Sequence, residues 1–99
     1  MKHFVLFYDF VADFMERRAP LRAAHLAHLN ASIERDEAQL GGAMADKGPP
    51  MGMMLFKAET REPAETFAMT DPYVTGGIVS SWRVREWTTV AGRDALTKV

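Results

Sequence analysis

The sequence predicts a single α+β domain in which two helices cover one face of a four-stranded antiparallel sheet. Its 99 residues, 47% of them apolar, can build one hydrophobic core but not two. Segments typical of strands and of helices follow one another in the order β-α-β-β-α-β, which is the order of the ferredoxin-like fold. The first strand is apolar on both faces, which indicates that both sides of the sheet are covered. We expect a core over about residues 1–90 and a C-terminal tail over 91–99.

The first strand is predicted over His3–Phe10. Successive side chains of a strand point to opposite sides of the sheet, and here both sets are apolar. One set is Phe4, Leu6 and Tyr8, and the other is Val5 and Phe7. Two helices can cover only one of these sets, so the other predicts that a second copy of the chain packs against it. We therefore expect a homodimer, or a higher homo-oligomer, built sheet against sheet as a dimeric α/β barrel.

A helix is expected from Pro20, which suits a first helical turn, to about Ala38, with the glycine pair 41–42 ending it. Helical periodicity gives it one apolar stripe, formed by Leu26, Leu29 and Ile33, with Arg22 one turn earlier. His25 flanks this stripe, where it is either a half-buried imidazole with one hydrogen bond or a functional group. His28 falls on the opposite side of the helix and is predicted to be a solvated surface histidine.

The second half of the chain follows from turn residues and helix signals. The segments QLGGAMAD and MGMMLFKAE are typical of two strands, and DKGPP of the turn between them. Thr60 can cap a second helix that runs through Met69. Pro72 pushes Asp71 out of the α region, so this helix must end there, and a last strand is expected over Ile78–Trp87. The carboxylate of Asp71 either accepts the next but one N–H in an Asx turn or projects into a site.

Composition excludes several classes of function. A net charge of −1 leaves no basic surface for nucleic acid, and the absence of cysteine excludes disulfides. The amino-terminal segment MKHFVLFYDF has no cleavage site and is too short to span a bilayer, so we expect a cytoplasmic protein that binds no membrane. A zinc site would repeat its ligands at short spacings, and only His25 and His28 do so; no metal site is predicted.

Three segments carry a resemblance that covers nearly the whole chain. They are RAAHLAHL, then GGAMAD, and above all DPYVTGGIVSSWRVREW. Together they resemble the YCII-like family of small bacterial proteins that form dimeric α/β barrels. The resemblance implies that His25 and Asp71 are an active-site pair, with Arg22 and Tyr73 beside them.

The function that this resemblance implies is a cofactor-free lyase or isomerase acting on a small aromatic or carbonyl-bearing acid. His25 would move a proton while Asp71 holds its imidazole, and Arg22 would hold an anionic oxygen. Tyr73, or Tyr8 from the first strand, would donate a phenol hydrogen bond to the same group. The alternative is a non-catalytic module that binds a small metabolite or only dimerises. An RNA-binding surface of the same topology would need paired exposed aromatic residues and basic strand edges, which the strands lack.

Overall fold

The structure, a computed structural model, describes all 99 residues and confirms the ferredoxin-like α+β fold. Its elements are β1 Lys2–Phe10, α1 Phe14–Arg17, α2 Arg22–Glu34, β2 Ala38–Ala43, β3 Met51–Ala58, α3 Glu62–Thr70, α4 Pro72–Thr75 and β4 Val79–Trp87. The strands form one antiparallel sheet in the order β2-β3-β1-β4, with α2 and α3 on one face. The single turns α1 and α4 were not predicted. None of the helices is long and apolar enough to cross a membrane.

The core lies between the sheet and α3. In β1 the side chains of Phe4, Leu6 and Tyr8 are at most 3% exposed. Antiparallel pairing sets Leu6 beside Met54 of β3 and Val84 of β4, so all three strands contribute to the same apolar layer. The core-facing residues of α3 are Ala64, Phe67 and Ala68. The core therefore forms on the side of β1 that the alternation of its side chains indicated.

The other face of the sheet is not covered by a helix. Phe7 of β1 lies there between Met53 and Arg83. Large apolar side chains remain open to solvent on this face, with Leu40 70% and Trp87 53% exposed. The bare face, as we call this surface, is the one for which the sequence predicts a covering partner.

Helix α2 ends earlier than predicted. The last helical residue is Glu34, and Asp36 then adopts a left-handed conformation with φ of 60°. Aspartate tolerates this region because its short side chain can bond locally, and here its Oδ1 accepts from Nε2 of Gln39 at 3.2 Å. The glycine pair 41–42, expected to end the helix, lies inside β2 instead.

Of the apolar stripe predicted for α2, only Leu29 packs against the core. Leu26 and Ile33 of that stripe are 41% and 42% exposed. The inward side carries His25, His28 and Ser32, and each has a hydrogen-bond partner in the protein. His28 is half-buried, so the prediction of a solvated surface histidine was wrong. A polar side can face inward here because every buried polar atom on it is paired.

The connection from α3 to β4 has the predicted stop. Asp71 has an extended backbone, with ψ of 127°, immediately before Pro72. The turn then needs two glycines for different reasons. Gly77 has a φ of 81°, and a Cβ on Gly76 would lie 2.6 Å from both a methyl of Leu21 and the carbonyl of Pro72.

The segment after β4 folds back against the start of β1. The hydroxyl of Thr89 lies 2.8 Å from Nδ1 of His3 and accepts the N–H of Leu96 at 3.0 Å. His3 is only 3% exposed. Burial lowers the pKa of His3 below its ordinary value, which means that the fold favours the neutral imidazole.

We expect the stability of the fold to decrease in mild acid because of His3. Its pKa is lower in the folded chain than in the unfolded chain, so below a pH of about 6.5 the unfolded chain binds more protons. The contribution is complete above that pH and is lost as the pH falls towards the folded-state pKa. Urea unfolding at about pH 7.5 and about pH 5.5 should show a larger loss for wild type than for His3→Gln. Equal losses would contradict this role of His3.

Candidate functional site

A cavity of about 220 Å³ opens between α2 and the sheet. An engineered cavity of roughly 150 Å³ already holds benzene, so this one has room for a six-membered ring with substituents. Its lining is partly aromatic, from Phe10, Phe14 and Tyr73, and partly cationic, from Arg18 and Arg22. His25 also reaches it. A planar, oxygenated molecule would meet both an apolar surface and positive charge in this cavity.

Next to His25, which lines the cavity, the carboxylate of Asp71 is fully buried and is held by donors from three elements. Oδ2 accepts the hydroxyl of Tyr8 at 2.7 Å, and Oδ1 accepts the N–H of Tyr73 at 3.0 Å. Nδ1 of His25 lies 2.9 Å from Oδ1 and 3.0 Å from Oδ2. The Asx turn and the contact with His25, which the sequence left as alternatives, therefore occur together. A buried charge with this many donors is well compensated without an arginine.

The contact with Asp71 determines which nitrogen of His25 is free. A carboxylate can only accept, so Nδ1 carries the hydrogen. Nε2 has no hydrogen-bond partner in the protein and is not buried. The imidazole is stacked on the ring of Tyr73 with centroids 3.8 Å apart and planes 4° from parallel. The neutral imidazole is thus fixed in orientation with the lone pair of Nε2 available at the cavity.

Tyr8 lines the cavity, but its hydroxyl donates its hydrogen to Asp71. Burial raises the pKa of Tyr8 strongly, and the negative charge of Asp71 and the hydrogen bond to it raise the pKa further. The phenol therefore stays protonated and acts as a fixed donor. The sequence could not indicate this contact, because it depends on how β1 lies against the end of α3.

Tyr73 and the two arginines present free groups to the cavity. The hydroxyl of Tyr73 has no partner in the protein and is not buried. Burial raises the pKa of Tyr73, although the charges of Arg18 and Arg22 oppose this shift, so its phenol is a neutral donor. Neither arginine pairs with a carboxylate, in contrast to Arg83, which pairs with Asp9 at 3.0 Å. Two unpaired guanidinium groups in one cavity favour an anionic ligand.

Arg18 was missed by the sequence reasoning. It follows the short helix α1, and its guanidinium lies 5.8 Å from the ring centroid of Phe14. Its spacing of four residues from Arg22 was the one available signal. Pro20 lies between them, so helical periodicity could not be used to put them side by side. Elsewhere in the chain, no three His, Asp or Glu side chains lie close enough together to hold a metal ion.

Comparison with protein families gives one match over most of the chain. A family model described as the YCII-related domain matches residues 1–88. A search of curated proteins finds no match.

Several solved structures share the fold. The 5-chloro-2-hydroxyhydroquinone dehydrochlorinase TftG from Burkholderia phenoliruptrix, solved with 2,5-dihydroxybenzoquinone, is 21% identical over 88% of this chain and 94% of its own, with a TM-score of 0.75. An antibiotic biosynthesis monooxygenase is 9% identical over 92% of this chain and 100% of its own, with a TM-score of 0.56. Rv0793 from Mycobacterium tuberculosis is 10% identical over 91% and 95% of the two chains, with a TM-score of 0.52. The structural similarity shows a shared fold. Identities this low do not show a shared chemistry.

Proposed function

Because this chain belongs to the YCII-related family, and because its cavity contains an oriented imidazole, we propose that it is an enzyme of the lyase type. It removes a proton and a leaving group from a small oxygenated ring, using its own side chains. The observation that carries the proposal is the state of His25, in which Nδ1 is held by buried Asp71 and Nε2 is unpartnered at the cavity. An imidazole held in this way is suited to accept a proton from a bound molecule.

The proposed elimination needs a base to move protons and a leaving group that departs as an anion. Nε2 of His25 first carries a proton from a ring hydroxyl to the carbon that bears the leaving group, which makes one ring oxygen a ketone and that carbon tetrahedral. Nε2 then accepts the proton of a second ring hydroxyl. The electron pair of this O–H bond forms a C=O bond, the ring electrons shift to a new C=C bond, and the leaving group departs with its own pair as an anion. Asp71 stabilises the imidazolium through the Nδ1–H bond, and water then takes the proton away. A positioned acid–base group of this kind contributes roughly 10²–10⁴ in rate.

The substrate class follows from the lining of the cavity. A volume of about 220 Å³ suits one ring with its substituents, and the aromatic wall of Phe10, Phe14 and Tyr73 suits a planar one. Arg18 and Arg22 would hold anionic oxygens, and the hydroxyl of Tyr73 would donate to a third. TftG is named for a chlorinated hydroxyhydroquinone, and the molecule bound in its structure is a dihydroxybenzoquinone. Both are rings of this size and kind, and this likeness to a protein of 21% identity supports the proposal.

A chloride-release assay tests the proposal. The probe is 5-chloro-2-hydroxyhydroquinone, whose dehydrochlorination yields chloride, a proton and a quinone that absorbs visible light. Wild type should release chloride faster than the uncatalysed reaction, and His25→Ala should return the rate to that background. Arg93→Ala, at an exposed position in the C-terminal segment, is the control and should keep the wild-type rate. Equal rates for wild type and His25→Ala would contradict catalysis of this reaction.

Binding without turnover would favour the alternative function. If the protein binds 2,5-dihydroxybenzoquinone but accelerates no elimination, the same cavity is that of a small-metabolite-binding module. Isothermal titration of wild type with this quinone separates the two outcomes.

We also propose that a second copy of the chain covers the bare face. Val5, Met53 and Leu55 lie there beside the exposed Leu40 and Trp87, and pairs of apolar sheet faces are stabilised by mutual burial.

Sedimentation should give a dimer at micromolar concentration, with an interface of at least about 1,000 Å² in total. Leu55→Lys, in the middle of the bare face, should yield a monomer because it would bury a charge without a partner. Met69→Lys is the control, because Met69 is 58% exposed on α3 and lies outside that face. A wild-type monomer would contradict the predicted assembly.

A further inference from the structure

We propose that His28 is a positioning residue that holds the end of α3 in place, so that Asp71 stays in contact with His25. Its importance for turnover rests on the proposed function, but its effect on the state of His25 can be measured without any substrate. The sequence pointed away from such a role, because His28 lies off the apolar stripe of α2.

The hydrogen bonds of His28 show that its Nε2 carries a hydrogen. Nε2 lies 3.0 Å from the carbonyl oxygen of Phe67 and 3.2 Å from the hydroxyl oxygen of Thr70. A carbonyl can only accept, so Nε2 carries a hydrogen and donates it to α3. The hydroxyl of Thr70 donates in turn to the carbonyl of Thr66 at 2.8 Å, which leaves its oxygen free to accept. The imidazole also stacks on the ring of Phe67, with centroids 4.3 Å apart.

The carbonyl that His28 meets is one that the helix end leaves without its usual partner. In a continued helix the N–H of Asp71 would donate to the carbonyl of Phe67. That N–H donates to Ala68 instead, at 3.3 Å, and the next residue, Pro72, has no N–H. His28 therefore supplies a donor at the point where α3 stops. Phe67 is four residues before Asp71, so this contact lies about one helical turn from the carboxylate that holds His25.

Polar contacts contribute to the attachment of α2. Ser32 is the one buried residue of this helix, and its hydroxyl accepts the N–H of Ala38 at 3.1 Å. Leu26, from the apolar stripe, is 41% exposed. Leu29 is the one residue of the stripe that packs against the core, and His25 and His28 add two attachments, three residues apart on α2, to one end of α3. Loss of the outer attachment should loosen the inner one, because both act on the same helix end.

Two substitutions separate the donor of His28 from its ring. His28→Phe keeps an aromatic ring to stack on Phe67 but has no N–H, whereas His28→Gln keeps an N–H donor and loses the ring. Nitrogen–proton correlation spectra of the imidazoles show which nitrogen of His25 carries the hydrogen. We expect wild type and His28→Gln to show the Nδ1–H form of His25, and His28→Phe to show a mixture of both tautomers. A purely structural role would lower the melting temperature without changing this tautomer.

Each outcome decides the proposal. A single Nδ1–H form in His28→Phe would overturn it, and so would a mixture in His28→Gln, since the donor would then not be the decisive group. If His28→Phe does not fold, the spectrum of His28→Gln still tests the proposal. Chloride release should fall about 2- to 10-fold in His28→Phe, which corresponds to one hydrogen bond, and should recover in His28→Gln. A changed tautomer in a protein whose wild type releases no chloride would uphold the positioning role and reject the proposed function.

Discussion

Asp71→Asn should lower the rate of chloride release by roughly 10²–10⁴ while the chain remains folded. The substitution keeps the size of the side chain but removes the negative charge that stabilises the imidazolium of His25. It also places an NH₂ group close to Nδ1, because both carboxylate oxygens lie within 3.0 Å of that nitrogen. The N–H of Tyr73 can only donate, so it competes with His25 for the one amide oxygen that remains.

The control for this variant is Asp46→Asn, since Asp46 is exposed in the loop between β2 and β3. It should have the rate of wild type. Circular dichroism and thermal unfolding of both variants separate a catalytic effect from loss of fold. A rate for Asp71→Asn within a factor of about two of wild type, below the range for a positioned acid–base group, would mean that the carboxylate only holds the turn.

Replacing the two cavity arginines should weaken the binding of an anionic ring. A hydrogen bond to a charged group contributes about 1.5–3 kcal/mol, so Arg18→Gln and Arg22→Gln should each raise the Kd of 2,5-dihydroxybenzoquinone about 10- to 100-fold. The quinone is a good probe because its hydroxyls ionise readily and give it anionic oxygens. Neither arginine has a carboxylate partner in the protein, so neither substitution leaves a buried acid unpaired.

Titration calorimetry at low and at high salt measures this effect, with Arg93→Gln as the matched control. Wild type and Arg93→Gln should bind with the same affinity. The double variant at positions 18 and 22 should lose most of the salt dependence along with the affinity. Unchanged affinity in both single variants would show that the quinone binds elsewhere or that its charge is not recognised.

The pair His25 and Asp71 could be placed together from the sequence because local rules apply to both. Pro72 ends α3 at Asp71 with an extended backbone, and the Arg-x-x-His pattern sets His25 one turn from the start of α2. The family resemblance then joins the two segments. No local rule reaches Tyr8, whose hydroxyl meets Asp71 across the fold.

The errors on α2 have a common physical cause. Hydrophobic periodicity assumes that the apolar side of a helix faces the core. In α2 the inward positions include His25 and His28, whose partners lie at the end of α3, 46 and 39 residues further along the chain. They also include Ser32, which accepts the N–H of Ala38. Arg18 was missed for a related reason, because it lies beyond the break at Pro20. Hydrogen bonds to other parts of the chain therefore help to determine which side of α2 faces inward. The pattern of side chains along one helix cannot predict such bonds.

The most direct test of the site is a crystal structure of the protein with 2,5-dihydroxybenzoquinone. The ring should lie in the cavity against Tyr73, with one of its atoms within about 3.5 Å of Nε2 of His25. An oxygen of the quinone should lie at hydrogen-bond distance from Arg18 or Arg22. A quinone bound outside the cavity, or a bound ring with Nε2 of His25 turned away from it, would contradict the assignment of His25 as the base.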